Sequence, residues 1–109
     1  MLMAKLTKLQ AVQHLAELDH AFLTPEGAKE LAAPFGIVPG LYYESVDHHN
    51  PKGLRIPGKE HGDRVEGIAA HRLAEELCKA EGLPTPDMYG IGSQLRACCE
   101  RIKRHLAAE

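Results

Sequence analysis

Apolar residues recur at helical spacing in several stretches of the chain and lose that spacing in its middle. Leu9, Val12, Leu15, Ala16, Leu18 and Phe22 share one broad face at about 100° per residue, so the spacing predicts a helix over 8–22. Thr7 and Gln10 ahead of it have capping-box spacing, with Leu6 and Ala11 placed as a hydrophobic staple. His14 and His20 project from other faces. Thr24-Pro25-Glu26 then opens a short second helix over 25–33. Threonine caps, proline fits the first helical position, and glutamate suits the positive end of the dipole. Pro34 restricts Ala33 and is expected to end it.

The third helix is predicted over 63–81, with Val65, Ile68, Ala69, Leu73, Leu77 and Ala80 as its stripe and Gly82 as its left-handed stop. Arg72 and Glu76 on it have the i,i+4 spacing of an ion pair. A second Thr-Pro-acid start, Thr85-Pro86-Asp87, leads a fourth helix over 86–107, whose narrow face is Met88, Ile91, Leu95, Cys98, Ile102 and Leu106. Gly90 and Gly92 imply close backbone approach near its start. A helix beginning only after Ser93 is the alternative. Leu15, Leu73, Leu95 and Ile102 are the expected core. The fold class is therefore mainly α, a single-domain helical bundle of three longer helices and one short one.

Residues 34–62 break this pattern. They hold four of the seven prolines and three of the seven histidines. A connection this long without periodicity is usually functional or disordered. Its Phe35, Ile37, Val38, Leu41, Tyr42, Tyr43, Val46, Leu54 and Ile56 can bury surface against the entropy of ordering, which favours order. Leu41–Val46 has β-leaning residues, Leu54 and Ile56 flank Arg55 with period two, and Asp47–Gly53 between them is rich in turn formers. A long central loop and an irregular β-hairpin both fit.

Composition narrows the partners. With 109 residues, one domain is the expected count. No apolar run approaches the ~18 residues of a membrane span, and MLMAKLTKLQ lacks the apolar middle of a signal peptide. A cytoplasmic protein without a membrane partner is the expectation. Three cysteines without C-x-x-C spacing point to reduced thiols serving as small apolar side chains. A net charge of −2 disfavours non-specific nucleic-acid binding.

Candidate chemistry gathers in the centre. Tyr42, Tyr43, His48, His49, Lys52, Arg55 and Lys59 would present rings and cations on one loop, a surface suited to a macromolecular partner. A protein partner is expected first, with nucleic acid and self-association as further options. The second reading is metal chemistry. Asp47, His49, His61 and Asp63 combine imidazole and carboxylate, the donors that suit zinc or another divalent metal. A strand ending in Val46-Asp47-His48-His49-Asn50-Pro51, then a turn, a strand and a helix, resembles the ββα metal finger of HNH-type nucleases. That resemblance covers about 25 residues. It implies a metal-dependent hydrolase, with one histidine activating water and a second histidine or acid holding the metal. Turn formation by Asp47 and Asn50 accounts for part of the cluster without any ligand. Glu75-Glu76 lacks an E-x-x-D partner at helical spacing, so a magnesium-dependent pyrophosphatase is not expected. The expected function is thus a small non-enzymatic binding or regulatory protein, with the hydrolase as alternative.

Overall fold

The computed structural model describes residues 6–18, 21–45 and 63–108. The capping box at Thr7 forms as its spacing requires. The Thr7 hydroxyl accepts from the Gln10 amide at 3.1 Å, and Gln10 Oε1 accepts from the Thr7 amide at 2.9 Å. Helix α1 then runs Lys8–Ala16 and buries Ala11, Val12 and Leu15, while Leu9 stays exposed. It stops well short of residue 22, because Phe22–Leu23 forms strand β1 instead of a last helical turn. A strand partner far along the chain outweighs the local helical spacing there.

Thr24 caps helix α2, Pro25–Ala32, by accepting from the Gly27 amide at 3.3 Å. A single 3₁₀ turn over Ala33–Phe35 continues it, and Gly36 at φ 72° turns the chain away. Strand β2, Tyr42–Ser45, lies where the β-leaning residues predict one. Its partner is strand β3, Arg64–Ala69, and the Leu54–Ile56 segment expected to pair with it lies outside the described residues.

Strand β3 corrects the start of the third helix, predicted at 63. Val65 and Gly67 are buried and alternate with exposed Arg64 and Glu66, which is a strand's period of two. Because Gly67 has no side chain, an apolar count misses that alternation and sees only Val65 and Ile68 at helical spacing. The sheet order is β1-β3-β2, antiparallel throughout. Helix α3, Ala70–Ala80, leaves β3 directly, and the Ala70 amide donates to the Ala21 carbonyl at 2.9 Å. Its end is as predicted. Gly82 sits at φ 71°, its amide donates to Lys79 O and the Leu83 amide to Cys78 O, which completes a Schellman motif.

Helix α4 spans Ile91–Ala107 and does not begin at Pro86. Gly90 at φ 97° cannot continue a right-handed turn. Met88 and Ile91, expected on the buried face, are therefore exposed by 49% and 45%. Among the described residues the four α-helices have 9, 8, 11 and 17 residues, so the fold is mainly α with one long helix and a small sheet. Leu15, Leu73, Leu95 and Ile102 are all buried at its centre, and no polar or charged residue among the described ones is buried. Glu81, half-buried as a residue but with its side chain only 7% exposed, joins the chain's distant parts at the rim of that core. It meets Lys8 Nζ of α1 at 3.0 Å and His105 Nε2 of α4 at 3.5 Å. No helix of the described residues is long and apolar enough to cross a membrane.

Candidate functional site

The sheet delivers the central stretch to its open edge. Tyr42 pairs with Gly67, Tyr43 with Glu66, and the hairpin's last described pair is Ser45 with Arg64. Ser45 and Arg64, the described strand residues on either side of 46–62, therefore lie side by side. Tyr42 is 49% exposed and Tyr43 64%. Successive strand residues point to opposite faces, so neither face of β2 is fully covered at this pair. One edge of β2 is taken by β3, and its other edge has no strand among the described residues. The lead-in is anchored more firmly. The Gly40 amide donates to both oxygens of the Glu76 carboxylate, at 3.0 and 3.3 Å, and Ile37 and Leu41 pack against the core.

Of the residues singled out for partner binding, Tyr42 and Tyr43 are thus brought together on β2. His48, His49, Lys52, Arg55 and Lys59 lie outside the described residues, as do Asp47, His49 and His61 of the metal reading. Asp63 is exposed at the foot of β3. Among the described residues no three His, Cys, Asp or Glu side chains converge as a metal site would need. On α3, Glu76 is engaged by Gly40, so Arg72 pairs instead with Glu75, at 3.8 Å and i,i+3 spacing.

The three cysteines form the other concentration of reactive atoms. Cys78 on α3 and Cys98 and Cys99 on α4 are all buried free thiols. Cys78 donates to the Cys98 carbonyl at 3.5 Å. The Cys98 thiol is held above the ordinary thiol range because it hydrogen-bonds Cys78 and is buried. The Cys78 thiol is lowered from the ordinary range by the neighbouring Cys98 side chain and by Arg101, against the effect of burial. Burial pushes the Cys99 thiol up to about 12, against the pull of Lys103.

Cys99 gives a signed expectation. The unfolded chain loses the Cys99 proton near the ordinary 9.0, whereas the folded chain keeps it until about 12. Its contribution to stability is complete below pH 9 and is lost as pH rises toward 12. Urea denaturation at a series of alkaline pH values should show a steeper decline for wild type than for Cys99→Ala. Identical slopes would mean that Cys99 ionises as easily in the folded protein as in the unfolded chain.

No protein-family model matches the chain, and neither a curated protein nor a solved structure does.

Proposed function

We propose that this chain is a small cytoplasmic, non-enzymatic binding or regulatory protein that offers β2 and the following His/basic loop to a protein partner. One observation carries the reading: two adjacent, exposed tyrosines stand on a strand with no second partner among the described residues, directly ahead of the His/basic stretch in sequence. Tyrosine supplies large contact area at low conformational cost and is enriched at interface hot spots. The edge of β2 away from β3, unpaired among the described residues, offers backbone groups for an added strand. Each new backbone bond of this kind contributes only ~0.5–1.5 kcal/mol net. The tyrosine rings therefore supply most of the affinity, and His48, His49, Lys52, Arg55 and Lys59 steer acidic partners.

The test immobilises wild type, Tyr42→Thr/Tyr43→Thr and His49→Ala/Lys52→Ala, with threonine chosen to keep the strand propensity. A partner captured by wild type is purified and its affinity for each protein measured. Both double variants should bind about tenfold more weakly or worse, a loss of ~1.4 kcal/mol. The melting of the tyrosine variant should hardly move, since exposed substitutions usually stay within ~0.5 kcal/mol. Equal affinity for all three proteins would reject this surface.

A further inference from the structure

Residues 83–90 have no regular structure, yet they are strapped along α4. Arg101 donates to the Pro84 carbonyl at 2.7 Å. Gln94 Nε2 donates to the Pro86 carbonyl at 2.6 Å, and Gln94 Oε1 accepts from the Met88 amide at 2.9 Å. Between strap and helix lies an open groove of about 480 Å³, lined by Pro86, Met88, Arg96, Ala97, Arg101 and Arg104 among others. Its neighbourhood carries apolar side chains that the core does not use. Met88 and Ile91 are about half exposed, and Tyr89 is entirely so.

We propose that this groove is a second docking site, which takes an acidic peptide segment bearing one apolar side chain. Charge complementarity is the first argument. Three arginines line the groove against one acid, Glu100, which lies 3.9 Å from Lys103. The chain as a whole is net negative, so this basic concentration is local. Guanidinium groups bind carboxylates through paired hydrogen bonds, and Arg101 is already oriented by Pro84. The second argument is the floor. Pro86, Met88 and Ala97 give an apolar anchor a place to bury. The third is preorganisation, because the Gln94 and Arg101 bonds fix the strap before any ligand arrives. A nucleic-acid strand fits less well. It would meet Glu100 and aliphatic side chains, with Tyr89 as the one fully exposed ring for base stacking. The groove shares no residue with the β2 surface, so either site can fail without the other.

The experiment titrates the ¹⁵N-labelled full chain with a short peptide of alternating glutamate and glycine around a central leucine. Controls are the same peptide with lysine for glutamate and a short oligothymidylate. The acidic peptide should give saturable shifts at the amides of Met88, Tyr89, Ser93 and Ala97 that weaken with added salt, and the lysine peptide should give none. Arg96→Glu/Arg104→Glu should reduce affinity about tenfold or more while the melting temperature holds. Gln94→Ala, which frees the strap without altering charge, should weaken the same peptide. The proposal is overturned by silence of these amides at millimolar acidic peptide or by equal response to the lysine peptide. Tighter binding of the oligothymidylate, or undiminished binding by the double variant, would overturn it too.

Discussion

Leu95→Ala is expected to destabilise the protein by ~2–5 kcal/mol, the usual cost of emptying a leucine site in a close-packed core. Leu95 is only 1% exposed and lies on α4, the helix that packs against both α3 and α1. It shares one core cluster with Leu15, Leu73, Leu77 and Ile102, all fully buried and all on helices. Such surroundings collapse poorly into a void, so the cavity term adds to the lost transfer free energy. For a domain of this size each kcal/mol moves the melting temperature by roughly 4–8 °C, and the variant should melt at least ~8 °C lower. Urea denaturation followed by circular dichroism measures the same loss. A wild-type melt for Leu95→Ala would take α4 out of the core.

Much of this core is legible in the sequence because helix signals are local. Capping residues Thr7, Thr24 and Gly82 act within a turn of themselves, and their geometry is found as their spacing implies. The strands are less legible because their partners are remote. Phe22 looks like the end of one helix and Val65 like the start of another, until Leu23 is set opposite Ile68. Helical spacing at 65 and 68 and strand spacing at 65 and 67 cannot be told apart when residue 67 is glycine. The fourth helix was ambiguous for a related reason. Met88 and Ile91 keep the phase of Leu95, but Gly90 adopts a φ that only the folded context reveals.

The candidate site divides in the same way. Aromatic residues beside a turn-rich stretch mark β2, and Tyr42 and Tyr43 stand exposed there. The edge position of β2 could not be read, since it depends on β1 reaching the other side of β3. The groove beside α4 was hidden more completely. Its apolar residues have the spacing of a buried face, and its strap depends on Gln94, a side chain with no motif of its own. A glutamine reaching back to the carbonyl of Pro86 across a glycine is a tertiary event in local disguise.

Gly67 is where fold and proposed function meet, and Gly67→Ala should be severe for so small a change. A β-carbon built there would lie 2.6 Å from Phe22 Cε2 and closer still to the Leu23 carbonyl oxygen. A phenyl ring can swing aside. A backbone carbonyl cannot, so relief requires β1 to move off β3. Strand β1 has two residues, Phe22 and Leu23, and both pair with β3, so little holds it once displaced. Overpacking usually costs ~1–3 kcal/mol, and a clash with backbone belongs at or above the top of that range. The loss should spread in two directions. The bond from the Ala70 amide to Ala21 O should open, which hydrogen exchange at Ala70 reports. Tyr42, which pairs with Gly67 from the other side, should lose its fixed position, so partner binding at β2 should weaken as well. Gly40→Ala is the control, since the nearest atoms to its new methyl belong to the Glu76 side chain, at 3.4 Å and beyond. That variant should stay within ~1 kcal/mol of wild type. If Gly67→Ala is as stable as Gly40→Ala in urea, β1 does not lie against β3 as described.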